Sequence, residues 1–215
     1  MAVDSLTYRT RPPAGDADGV LFLLHGRGAD EYDLEPLADA IDRERRLAVF
    51  LPRGPLALPP GGAHWYIVRR IGYPDRETFS VTYERLAGWV DAVLDETGVA
   101  PERTVFAGFS QGAVMSYALG LGSGRPRPAG ILALSGFIPR VEGFELDLEL
   151  RVRLPVAISH GTNDPVITVA FGREARDRLE AAQLDVRYRE DPIGHGISPA
   201  ALAQARDTLA DALGS

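Results

Sequence analysis

Gly108-Phe109-Ser110-Gln111-Gly112 fits the pattern G-x-S-x-G. In that pattern a serine sits on a tight strand-to-helix turn that projects its hydroxyl from a sheet. A serine hydroxyl is a weak nucleophile at neutral pH, so the chemistry needs a base. His195 is the candidate, because Gly194 and Gly196 flank it in a stretch that can bend and leave the ring accessible. His25 and His160 each end an apolar run and read as packed imidazoles, while His64 lies in a Pro/Gly-rich stretch where it could border a pocket.

The base needs an acid that holds its tautomer and stabilises its cation. Asp164, in Gly161-Thr162-Asn163-Asp164-Pro165, falls between the serine and the histidine, the chain order of serine α/β-hydrolases. Asp191 competes, but it stands only four positions before His195 and reads as a turn residue of the same connection. An acyl-transfer site also needs two amides for the oxyanion. Gln111, directly after the serine, supplies one, and the loop His25-Gly26-Arg27-Gly28 supplies the other through the Arg27 N–H.

These residues must be held by a sheet. Val20–Leu24 is an apolar run, as a strand buried on both faces would be. A helix opens at Asp33, and Leu47–Leu51 is a second strand. Thr78–Thr97 is an amphipathic helix with Phe79, Leu86, Trp89, Val90, Val93 and Leu94 on one face and Gly98 as its stop. Thr104–Ala107, Ile131–Leu134, Val156–Ser159 and Val186–Arg189 read as strands, and 111–121, 168–182 and 199–213 as helices. The alternation predicts an α/β fold, a mostly parallel doubly wound sheet with helices on both faces, whose ligands sit at the carboxyl ends of the strands. Residues 53–76 hold Gly54, Pro55, Pro59, Pro60, Gly61, Gly62, Gly72 and Pro74 around His64-Trp65-Tyr66. They read as a long loop, of the kind that often acts as a lid.

Leu24-His25-Gly26-Arg27-Gly28-Ala29-Asp30, the Ser110 turn, Leu134-Ser135-Gly136-Phe137-Ile138-Pro139, the Asp164 motif and Gly194-His195-Gly196 occur in that order. Together they resemble the phospholipase/carboxylesterase family of α/β-hydrolases, which includes the acyl-protein thioesterases, over about residues 20–212. The resemblance implies Ser110, Asp164 and His195 as the triad, Arg27 and Gln111 as oxyanion amides, no metal or organic cofactor, and a homodimer as a common state. Arg27 stands where eukaryotic thioesterases of the family carry leucine, and so is similar to the bacterial esterase branch.

The reaction expected is hydrolysis of a small-molecule carboxylic ester through an acyl-enzyme, with short or medium acyl chains because little chain is left for a cap. Trp65, Phe109, Phe137 and Ile138 are candidates to line the acyl site. The alternatives are a lysophospholipase or acyl-protein thioesterase, or a non-catalytic ligand receptor on the same fold.

Composition narrows the field. The 215 residues suit one domain, 1–215, with 45% hydrophobic and 25% charged residues. A net charge of -7 disfavours nucleic acid as a partner. The absence of cysteine excludes thiol nucleophiles, thiolate metal sites and disulfides. All 23 basic residues are arginine, which excludes Schiff-base chemistry and a Walker-A loop. No run has the length of a membrane span, and the start, with Asp4, Asp16 and Asp18, lacks a signal-peptide core. A cytoplasmic protein is expected.

Overall fold

The computed structural model of the chain describes residues 6–214, so Asp4 of the polar start lies outside the described residues. In chain order the elements are β1 (Tyr8–Arg11), β2 (Gly19–Leu24), α1 (Glu35–Ile41), β3 (Leu47–Pro52), β4 (Leu56–Leu58), β5 (Gly62–His64), β6 (Val68–Arg70) and β7 (Tyr73–Pro74). There follow α2 (Arg76–Thr97), β8 (Thr104–Phe109), α3 (Gln111–Leu121), β9 (Gly130–Leu134), β10 (Pro155–Gly161), α4 (Val169–Ala181), β11 (Asp185–Asp191) and α5 (Pro199–Leu213). Seven strands form one sheet in the order β1-β3-β2-β8-β9-β10-β11, parallel except for β1.

The core follows strand alternation. On β2, Val20, Phe22 and Leu24 pack with Trp89 of α2 and Leu119 of α3. Leu21 and Leu23 point the other way, into a cluster with Leu37 and Ile41 of α1 and Leu209 of α5. Both faces of the strand are covered, so it can be apolar throughout. Helix α3 is buried along its whole length and reads apolar on every side.

The strand order reverses between β2 and β8. At such a switch point the connections leave toward opposite sides and open a crevice at the strand ends. Leu24 is paired with Gly108, so the loop after β2 and the turn after β8 emerge side by side.

Three regions differ from the sequence expectation. The polar start contains β1, an antiparallel edge strand on β3, with Tyr8 against Trp89 at 5.2 Å. Its mixed exposure hides it from an apolar pattern. Helix α1 begins at Glu35 rather than at Asp33, because the Asp33 carboxylate accepts the Asp30 N–H at 2.8 Å and closes the preceding turn. The 53–76 stretch is not a featureless loop: it folds into two antiparallel hairpins, β4–β5 and β6–β7.

Candidate active site

Ser110 joins β8 to α3 with φ 56° and ψ -117°. A non-glycine residue there is strained and is held by its surroundings. The surroundings are tight. A Cβ on Gly112 would lie 1.9 Å from the Leu24 carbonyl oxygen, and one on Gly108 would lie 2.3 Å from the carbonyl carbon of Gly112. Only glycine lets β2, β8 and the first turn of α3 cross so closely.

His195 reaches the serine from the loop between β11 and α5. Its Nε2 lies 3.0 Å from Ser110 Oγ, and its Nδ1 lies 2.7 Å from Asp164 Oδ2. A carboxylate only accepts, so Nδ1 carries the proton and Nε2 is free to accept from the serine hydroxyl. The other carboxylate oxygen of Asp164 accepts the Val166 and Ile167 amides at 2.8 and 2.9 Å. Burial alone would raise the Asp164 pKa, but the hydrogen bonds from His195 and these two amides outweigh it and hold the group below its ordinary value. The side chain is therefore an anion aimed at the imidazole.

The loops bearing the acid and the base are pressed together. A Cβ on Gly161 would sit 2.1 Å from the Gly194 carbonyl oxygen. The Thr162 and Asn163 amides donate to the carbonyls of Asp191 and Ile193 at 2.8 and 3.0 Å. Asp191, the competing acid, turns elsewhere. Its carboxylate accepts from Arg189 and from the Ser198 hydroxyl, and the Arg189 guanidinium is the main reason its pKa falls below the ordinary value.

Two positions that the sequence reading did not assign to the site support it from behind. Ser135, buried with φ 54°, donates its hydroxyl to the Gly196 carbonyl at 3.1 Å and steadies the His195 loop. His160 Nε2 donates to the Ile167 carbonyl at 2.7 Å and lies 3.6 Å from Asp164 Oδ2. It thereby braces the turn whose amides hold the acid. Burial lowers the His160 pKa, as it does that of His25. The signal for His160 was its place at the end of a strand four residues before Asp164. An apolar strand end gave no sign of which way the ring would face.

His25 is a structural imidazole. Its Nδ1 donates to the Gly26 carbonyl at 2.7 Å, and its Nε2 accepts the Gly54 amide at 2.9 Å. His64 is on β5 with Nδ1 3.2 Å from the Tyr66 carbonyl, and does not itself line the cavity beside Ser110.

Ser110 opens into a cavity of about 320 Å³ lined by Arg27, Tyr66, Val68, Arg70, Ile71, Gln111, Phe137, Val166 and Ile167. Of the four residues expected to line an acyl site, Phe137 is on this wall. Trp65 is not: it is fully buried, its Nε1 donating to the His25 carbonyl at 2.7 Å and its amide to the Gln111 side chain at 3.0 Å. Phe109 instead packs its ring 4.8 Å from that of His195, and Ile138 lies in the core beside Tyr117. The wall residues the sequence reading missed are Tyr66, between β5 and β6, and those from hairpin β6–β7 and from the turn after Asp164. Their partners there depend on how the hairpin folds, which no local pattern records.

Arg27 and Gln111, the two residues chosen for their amides, both border this cavity. Gln111 is the first residue of α3, where an amide has no intrahelical acceptor and the helix favours negative charge. The arrangement can activate a hydroxyl toward a carbonyl carbon and stabilise the oxyanion that results. Among the described residues no group of three or more His, Asp or Glu side chains is placed to hold a metal ion. No helix among them is long and apolar enough to cross a membrane.

The profile of the phospholipase/carboxylesterase family matches residues 7–213. The chain is 25% identical over 225 residues to acyl-protein thioesterase 1 of Gibberella zeae, covering 92% of each chain. Its fold matches a carboxylesterase from Bacillus cereus at a TM-score of 0.84 with 26% identity, covering 97% of this chain and 95% of that one. A carboxylesterase from Mesorhizobium loti, 23% identical, shares the fold at a TM-score of 0.81, with 96% of both chains covered.

Proposed function

We propose, because the chain belongs to the phospholipase/carboxylesterase family and is a hydrolase, that it cleaves short- to medium-chain carboxylic esters through an acyl-enzyme on Ser110. The observation that carries this reading is the pair of hydrogen bonds, 3.0 Å and 2.7 Å, that runs from Ser110 through His195 to Asp164 at the mouth of a largely apolar cavity. His195 takes the serine proton as Oγ attacks the ester carbonyl carbon. The Arg27 and Gln111 amides stabilise the oxyanion, and Asp164 stabilises the imidazolium. The imidazolium returns its proton to the leaving alkoxide, and the alcohol departs. Water, deprotonated by His195, then attacks the acyl-enzyme and frees the acid and Ser110.

The cavity, about 320 Å³, is at the small end of ligand pockets, which favours acyl groups of modest length. A panel of p-nitrophenyl esters from two-carbon to sixteen-carbon acyl chains, with one acyl-thioester included, tests this. The expected optimum lies among the shorter chains. An optimum at the longest chains, or faster thioester turnover, would instead support the second reading. That reading is thioester hydrolysis, and it draws on the relatives named acyl-protein thioesterase 1. Labelling by a fluorophosphonate probe that is lost in Ser110→Ala separates an esterase from a receptor on this fold. We take the cytoplasm as the site of action and a homodimer as the working state, which size-exclusion chromatography with light scattering would check.

A further inference from the structure

The chain carries 30 acidic and 23 basic residues, yet the Ser110 cavity is lined by two arginines, Arg27 and Arg70, and by no aspartate or glutamate. Elsewhere arginines are commonly paired with carboxylates: Arg53 with Glu31 at 2.9 Å, Arg125 with Asp91 at 2.6 Å, Arg173 with Glu190 at 2.7 Å, and Arg189 with Asp191 at 2.7 Å. Among the described residues, Arg27 and Arg70 have no such partner within 4.0 Å, although both are exposed.

Within β6, Arg69 pairs with Asp75 at 2.9 Å, whereas Val68 and Arg70 both border the cavity. The Arg70 guanidinium lies over the Tyr73 ring, 3.6 Å from its centroid. That contact orients the cation without neutralising it and leaves the guanidinium edge donors available.

Two arginines without carboxylate partners that border one apolar cavity are suited to a carboxylate or phosphate, which a guanidinium can bind by paired hydrogen bonds. It also raises the local potential in a molecule that otherwise repels anions. We infer that the preferred substrates are anionic esters, whose apolar reacting part enters the Ser110 cavity while a carboxylate or phosphate at the far end is held by Arg70 and Arg27. This rests on the reading of Ser110 as the acylated residue. It adds the chemical class of the substrate.

The test compares matched esters. In one arm the charge is on the acyl group: p-nitrophenyl hexanoate against the mono-p-nitrophenyl ester of adipic acid. In the other it is on the leaving group: phenyl hexanoate against 4-hexanoyloxyphenyl phosphate. At low salt, one anionic ester should exceed its neutral partner in kcat/KM by about tenfold, the size of a charge-assisted hydrogen bond. Which arm shows the preference identifies the end of the substrate that the arginines hold. The preference should shrink several-fold in Arg70→Gln, further in Arg27→Gln/Arg70→Gln, and at high salt. Because the readout is a ratio, any general loss from altering the Arg27 loop cancels. Equal or lower turnover of both anionic esters, or a preference that survives the double substitution, overturns the inference. If wild type labels with fluorophosphonate and cleaves the neutral esters, that failure leaves the Ser110 reading standing. Absence of labelling and of all turnover overturns both.

Discussion

The carboxylate of Asp191 accepts the Ser198 hydroxyl at 2.6 Å, and Ser198 in turn caps α5 by accepting the Ala201 amide at 2.9 Å. This chain of bonds commits Asp191 to the entry of the last helix. Two acids stand within sequence reach of His195, but the imidazole has only one Nδ1 proton to give. The geometry directs that proton to Asp164.

The pair yields a clean comparison. Asp164→Asn keeps the size but cannot fix the productive tautomer, and should lower kcat by about a hundredfold or more. Asp191→Asn weakens a cap and the ion pair with Arg189, and should cost less than about tenfold in kcat with some loss of stability. Both should be measured on the alkaline plateau of their pH–rate profiles. Greater damage to kcat from Asp191→Asn, in a folded protein, would show that the acid is misassigned.

Ser110 is strained in its backbone and is the nucleophile of the proposed reaction, and two substitutions separate these roles. Ser110→Ala and Ser110→Gly should each lose at least about a thousandfold in ester turnover. Glycine also relieves the left-handed backbone, so Ser110→Gly should be the more stable of the two by about 1 kcal/mol in urea unfolding. Retention of more than a tenth of kcat in either variant would sink the assignment of the nucleophile. Equal stability would mean that the turn is less strained than its φ of 56° implies.

How far the sequence could be read depends on where each signal is stored. Helix α3 is bounded by the serine turn and by Gly122, and α5 by Ser198 and Gly214, so local chemistry marks both ends. The parallel strands announce themselves because both faces are covered. Edge strand β1 alternates between solvent and core and has no apolar run, so only its pairing with β3 reveals it. Motif residues such as Ser110, Asp164 and His195 are legible because the glycines and turns around them are local. The cavity wall is not. Trp65 was expected at the pocket because an aromatic cluster in a Pro/Gly-rich stretch must pack somewhere. It packs inward, under Gln111 and His25, and Tyr66 lines the cavity instead.

That placement changes what Trp65→Ala should do. Removing a fully buried indole and its hydrogen bond should cost about 3–5 kcal/mol of stability, a loss visible as a lower urea midpoint. Acyl-chain preference is expected to respond to Phe137→Ala, which enlarges the wall itself. A Trp65→Ala protein as stable as wild type, or a Phe137→Ala profile that matches wild type across the ester panel, would reverse these roles.

The buried imidazoles predict how stability depends on pH. His25 and His160 are held neutral, chiefly by burial, with pKa values below the ordinary value of about 6.5. His160 also faces Asp164 and Glu190, which favour its cation, and His195, which opposes it, and burial outweighs them. For a group whose folded pKa is depressed in this way, the unfolded chain takes up a proton first. Stability is therefore full above pH 7 and falls as the pH drops below about 6.5, by at most about 1.4 kcal/mol per pH unit for each imidazole, until the folded pKa is reached. Carboxylates held below their ordinary values, such as Asp164 and Asp191, act in a separate window. Their contribution is intact above about pH 5 and is lost only as the pH falls toward their folded pKa values. Urea unfolding at pH 7.5, 6.5 and 5.5 should thus show a decline that carboxylates cannot cause. In His160→Gln the decline should be shallower, while stability at pH 7.5 is lower because the bond to the Ile167 carbonyl is altered. The same substitution should reduce kcat more than it raises KM, because the turn that orients Asp164 has lost its brace. A pH dependence as steep as that of wild type would mean that His160 titrates alike in the folded and unfolded chains.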